Sequence, residues 1–185
     1  MKKGLLAVIG IAVLAGLWLM GLYNGLVGAD QEVKTQWAKV ETQYQRRFDL
    51  IPNLVESSKA VLKQEQAIID SVTEARTKYS GATTVDEKAK AAGEVETALG
   101  RLLVVMENYP ELKSDETVQR LMDELAGTEN RIAVERGRYN DLVGGFNVRV
   151  KTFPNNVIAG MLGFSEKAFF ESVEAASSAP AVNFD

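Results

Sequence analysis

Apolar residues follow two different patterns along this chain of 185 residues. The first is an unbroken run, GLLAVIGIAVLAGLWLMGL, covering the 19 residues from Gly4 to Leu22 without a charge. About 20 such residues cross the hydrocarbon core of a bilayer as a helix. In lipid every backbone N–H and C=O has to be paired internally, so a helix is the form predicted for this run. Lys2 and Lys3 precede it, and Trp18 and Tyr23 lie toward its outer end, where amphipathic aromatics favour the headgroup layer. A cleaved signal peptide is the competing reading. Its apolar region is normally shorter, about 7–15 residues, and ends in a small-x-small site, which is missing at the outer end of this run. The expectation is therefore a membrane span with Gly4, Trp18 and Leu22 as its markers.

The second pattern is helical. From 24 to 79, apolar residues recur at Val33, Trp37, Val40, Tyr44, Phe48, Ile51, Val55, Leu62, Ile69 and Val72. This spacing predicts an amphipathic helix, or two. Pro52 either kinks a single helix or sits in the first turn of a second, capped by Asp49. Ser80-Gly81-Ala82-Thr83-Thr84 is the first clear break, with Thr84 and Glu87 spaced as a capping box. The next helix runs to about Tyr109 on a face of Val95, Leu99, Leu102, Leu103 and Met106, and Pro110 ends it. Ser114 or Asp115 starts a long helix that Phe153-Pro154 closes. Asn155 or Asn156 caps the apolar stretch Val157–Phe164, which is too short to cross a bilayer. Ser165 is expected to start a short amphipathic piece, Glu166 to Val173, that includes Phe169 and Phe170. The predicted fold is all-α: a transmembrane helix (1–23), an antiparallel bundle of about four long helices (24–173), and a polar tail (174–185).

Composition narrows the chemistry. Cys and His are both absent, which removes thiolate nucleophiles, disulfides, the commonest general base and the commonest transition-metal ligand. The net charge of −4 gives no basic footprint for nucleic acid, and none is expected as a partner. The basic flank, Lys2 and Lys3, predicts a cytoplasmic N-terminus and an exported domain. No phosphate-binding glycine loop or nucleophile elbow occurs.

The polar clusters have structural readings. Arg46, Arg47 and Asp49 beside Pro52 form either a docking site at a kink or a set of helix-end partners for Glu129 or Arg131. Glu124, Glu129, Asn130, Glu135 and Arg136 offer only oxygen ligands alongside charge, and no Glu-x-x-His pair exists to build a di-iron site. Arg131, Arg138, Tyr139 and Asn140 read as an interhelical hydrogen-bond network.

Two features point to self-association. Ala12/Gly16 and Gly21/Gly25 are small-x-x-x-small pairs that allow close helix approach in a membrane. A continuous helix over 24–79 is roughly 84 Å long. The helix after it is less than half that length, which leaves the stripe Val33, Trp37, Val40 and Tyr44 without a partner in its own chain. That stripe is expected to pack against neighbouring copies. Phe164, Phe169 and Phe170 form a further candidate surface, for a partner or the bilayer.

YNGLV (23–27), QWA (36–38), RRFDLIPNLVE (46–56), ENYPELK (107–113), TENRIAVERGRYND (128–141) and FPNNVIAGMLGF (153–164) together resemble the LemA family. The resemblance covers nearly the whole chain, down to a P-x-V-x-F pattern at 180–184. Glu135-Arg136, Phe146 and Val118 depart from the family's commoner residues. The resemblance implies one membrane helix, an antiparallel bundle, and neither a catalytic residue nor a cofactor. It also implies an extracytoplasmic domain. The expectation is a non-enzymatic, self-associating scaffold or adaptor anchored in the inner membrane. The resemblance further implies a link to envelope stress or quality control beside a membrane protease or other envelope protein. A module that binds an extracytoplasmic ligand or the cell wall is the alternative.

Overall fold

The computed structural model describes residues 2–170, which are helical apart from short turns and connections, with no strand among the described residues. Six helices follow in order: α1 (Lys2–Lys59), α2 (Gln66–Gly81), α3 (Val85–Met106), α4 (Pro110–Ser114), α5 (Glu116–Lys151) and α6 (Asn155–Leu162). They form two compact units. Among the described residues the first combines 2–39 with Gly137–Phe169, and the second combines Val40–Arg136 with Phe170. The last part of the expected amphipathic piece, 171–173, and the expected polar tail, 174–185, lie outside the described residues.

In the first unit α1 has two characters. Its apolar run is exposed, and from Leu26 onward one face is buried through Leu26, Ala29, Val33 and Gln36. These positions recur every three or four residues, as one face of a helix requires. The buried face of α5 answers with Tyr139, Val143, Phe146 and Asn147. The two helices run antiparallel. Trp37 and Tyr139 have ring centroids 5.2 Å apart, and the Arg149 Nη1–H donates to the Gly25 carbonyl at 3.4 Å. α6 ends at Gly163, whose left-handed backbone (φ +77°) would strain any residue with a Cβ.

Residues 164–170 carry no helix or strand, so the short amphipathic piece expected from Ser165 is not a regular element over this stretch. The physical reason lies in α5. The Asn147 side-chain amide donates to the Lys167 carbonyl at 2.9 Å, and its oxygen accepts the Lys167 N–H at 2.8 Å. The Tyr139 hydroxyl donates to the Ala168 carbonyl at 3.1 Å. These side chains satisfy backbone groups that a helix would have paired internally, so the segment is held open as a strap.

In the second unit Val40, Tyr44, Phe48, Ile51 and Leu54 form the buried face of α1. Pro52 stands inside this helix on its exposed side. Of the two alternatives for Pro52 the single helix holds and the first-turn position does not: the chain turns later, at 60–65. There the Ser58 carbonyl accepts the N–H groups of Val61 and Leu62 at 3.1 and 2.9 Å, and the Ser58 hydroxyl donates to the Leu54 carbonyl at 2.7 Å. Leu62 is fully buried at this corner.

α2 and α3 pack against one another. Thr84 and Glu87 form the reciprocal capping box, and hydrogen bonds from the Thr83 and Thr84 backbone hold the Glu87 carboxyl below its usual range. α3 stops at Met106, three residues short of the predicted end, because Pro110 starts the separate short helix α4. The Asp115 carboxylate then accepts the Thr117 and Val118 N–H groups at 2.8 and 3.0 Å and caps α5.

Two substitutions separate the corner from the proline. Leu62→Ala is expected to lower the unfolding free energy by about 2–5 kcal/mol, as for other buried leucines. Pro52→Ala restores an N–H in mid-helix and raises stability, by at most about 3 kcal/mol. Urea titration followed by circular dichroism checks both, and a Pro52→Ala loss as large as that of Leu62→Ala would move the corner back to Pro52.

Candidate functional site

Three groups of residues carry functional meaning: the exposed apolar run, a polar and aromatic centre in the second unit, and the strap in the first. Along the run, Gly4 and Trp18 are exposed and Leu22 is half-buried. Nothing lies within 4 Å of a Cβ built on Gly16, Gly21 or Gly25, so these glycines face open space. By length and composition α1 is the one helix among the described residues able to cross a membrane.

The Val33–Tyr44 stripe corrects the reading of an uncovered surface. Val33, Val40 and Tyr44 are buried within this chain, and Trp37 is half-buried with its ring on Tyr139. The sequence argument failed because it matched α1 only against the helix next in sequence. The partner of its first part is α5, more than 100 residues away.

The candidate phenylalanines divide. Phe164 stands edge-on to Phe146 with centroids 6.4 Å apart. Phe170 is 3% exposed. Of the three only Phe169 remains open to solvent. Phe164 and Phe170 are therefore packing residues, not the free surface the sequence led us to expect.

The centre of the second unit is built from α1, α3 and α5. Arg47 pairs with Glu129, as the helix-pairing reading of the arginines required. Glu96 of α3 accepts from the Tyr44 hydroxyl and from Arg136 Nη1, both at 3.3 Å. The Arg136 guanidinium lies 4.3 Å from the centroid of Phe170, a distance at which a cation is attracted to the ring face. Tyr44 continues the aromatic cluster, with centroids 6.1 Å from Phe170 and 5.2 Å from Tyr79. Phe48 meets Tyr79 at 4.6 Å. Burial pushes both tyrosine hydroxyls well above their usual range. The Arg47 Nε–H is buried without a partner among the described residues.

Glu96 escaped the sequence reading. Its signal was a carboxylate set among Ala92, Val95 and Leu99, the buried face of α3. Burial first, and the charge of Glu129 second, raise its carboxyl above the ordinary 4.5, against the opposing pull of Arg136 and Arg47. Glu129 is engaged by Arg47, and no three acidic side chains gather among the described residues.

In the first unit the strap is tied by charge as well. Lys167 Nζ reaches Asp30 at 2.6 Å, and Lys151 reaches Glu166 at 2.8 Å. Partial burial of Asp30 opposes its ionisation, but Lys167 and Lys34 outweigh it and hold the carboxyl below its usual range.

A carboxyl with a raised pKa makes the native state bind more protons than the unfolded chain does. Stability from Glu96 is thus fully present below about pH 4.5 and is lost as pH rises through the folded value. Glu96→Gln removes this dependence. The melting temperature of the variant relative to the unsubstituted chain is expected to rise as pH climbs above 4.5, in scanning calorimetry across pH 4 to 8. A constant difference over that range would place Glu96 in water.

Comparison with known proteins agrees with this architecture. The LemA family model matches residues 36–184. Magnetosome protein MamQ 2 of Paramagnetospirillum magneticum is 26% identical over 179 residues, covering 83% of this chain and 66% of its own length. MamQ of Magnetospirillum gryphiswaldense is 25% identical, covering 82% of this chain and 65% of its own. The chain thus spans about two thirds of the length of these magnetosome relatives. Protein LemA of Metamycoplasma hominis is 23% identical over 157 residues, covering 84% of this chain and 71% of its own. With a family model over most of its length, the part-buried Arg47–Glu129 pair inside the RRFDLIPNLVE and TENRI motifs, and an all-helical fold among the described residues, the chain belongs to the LemA family.

Proposed function

We propose that this protein is a membrane-anchored, non-enzymatic helical scaffold of the cell envelope. The observation that carries the reading is in the first unit. An uncharged run of 19 residues is exposed, and the same helix continues without a break into a buried face packed on α5. An exposed run of this kind is costly in water and at home in a bilayer. The anchor then spans the inner membrane once, with the N-terminus inside and the helical domain on the far side, as the flanking lysines favour.

The polar centre supports a structural role over a chemical one. Its carboxylates and guanidiniums neutralise one another, and its hydroxyls are held protonated by burial. Recruitment of other envelope proteins, including a membrane protease, follows from the resemblance and belongs to the same reading.

Self-association through the span is part of the proposal. Gly16, Gly21 and Gly25 leave open space along α1, which a second helix can approach closely. The Val33–Tyr44 stripe has no share in it, since its side chains are covered.

Two outcomes are expected. Alkaline carbonate should leave the full chain in the membrane pellet and release a chain starting at Asn24; release of both would remove the anchor. Light scattering in detergent should give a multiple of the 20.2 kDa chain mass, falling to the single mass in Gly16→Leu/Gly21→Leu. An unchanged multiple would move the contact away from the span, and a single mass for the unsubstituted chain would retire the self-associating scaffold.

A further inference from the structure

α6 presents apolar side chains that its own unit does not cover. Phe153 and Met161 are 79% and 82% exposed, and Val157 and Leu162 are more than half exposed. Only Ala159 of this helix is buried. The 14 residues from Thr152 to Ser165 carry no charge. Charged residues close the segment on both sides, and Lys151 pairs with Glu166 across it at 2.8 Å.

The antiparallel register places this segment along α1. Contacting residue numbers sum to 176 for Trp37 and Tyr139 and to 174 for Gly25 and Arg149. On that register Lys151 stands opposite residues 23–25, directly after the apolar run ends at Leu22. The chain leaves this level again by Lys167, which meets Asp30 at 2.6 Å. The reversal of the chain through Phe153 and α6 therefore lies at the level of α1 where the apolar run gives way to the buried face.

We infer that α6 and the Phe153 turn lie in the headgroup layer of a phospholipid bilayer, beside the base of the anchor. This rests on the reading of residues 4–22 as a membrane span. A short uncharged segment with its apolar face outward is suited to the interface, where such helices sink about 5–10 Å. Tyr23 and Val27 of α1 are exposed at the same level and extend the apolar surface. A second copy of the chain is a poorer occupant. Eight residues of helix are about 12 Å long and about 10 Å wide, a face of about 120 Å², well short of the roughly 800 Å² per partner that a stable protein contact buries. The continuity of α6 with the exposed run points to lipid instead.

The absence of native cysteine allows single labels. Val157→Cys, Met161→Cys, Leu14→Cys and Val134→Cys would each carry an environment-sensitive fluorophore on the full chain. The chains would be reconstituted in phosphatidylcholine vesicles with and without nitroxide-labelled lipid. Labels at 157 and 161 are expected to emit at shorter wavelength and to be quenched by the nitroxide several-fold more than the label at 134, with the deepest quenching at 14. Quenching at 14 with none at 157 and 161 would overturn the inference and leave the anchor standing. No quenching at 14 would overturn the anchor itself. Shielding at 157 and 161 that disappears as protein is diluted in lipid would assign the face to a second copy and likewise overturn the inference.

Discussion

The packing of α1 against α5 in the first unit is the contact on which the rest depends. It buries Leu26, Ala29, Val33 and Gln36 on one helix and Tyr139, Val143, Phe146 and Asn147 on the other. It sets the register that brings Arg149 to Gly25. It also presents Asn147 and Tyr139 to the strap, where their polar ends take the place of backbone partners. Without this pairing the apolar face of α1 beyond the run would be open, and residues 164–170 would have no template to lie on.

The second unit solves a different problem, that of burying charge. Arg47, Glu129, Glu96 and Arg136 are drawn from three helices, and each finds a partner of opposite sign. Part-buried pairs of this kind, with Arg47 and Arg136 the more deeply covered partners, contribute little net stability over apolar packing but cost more to break than pairs in open water. Their value is in fixing which faces of α1, α3 and α5 meet. Phe170 closes the group by lying against Arg136 and Tyr44, so its aromatic ring is used in packing and in attraction to the guanidinium.

Much of this was legible in the sequence. The apolar run, the capping box at Thr84, the start of α5 at Asp115 and the Arg47–Glu129 pairing follow from local rules and motif chemistry. The failures share one cause, tertiary partners that no local pattern encodes. The turn at 60–65 contains Lys63, Gln64 and Glu65, all good helix formers, and only burial of Leu62 marks it. Pro52 is a strong local signal that the fold overrides on an exposed face. The strap reads as amphipathic helix until Asn147 and Tyr139 are seen to bind its backbone. The stripe around Trp37 looked unpartnered because its cover comes from the far end of the chain.

The central claim is that the apolar run and the buried face of α1 are one uninterrupted helix in the first unit. The most direct measurement is hydrogen exchange of backbone amides in the full chain reconstituted in phosphatidylcholine bilayers. Amides from Leu22 through Trp37 are expected to exchange slowly as one protected block. Rapid exchange confined to Tyr23–Ala29, with protection on both sides, would show a hinge there and contradict the claim.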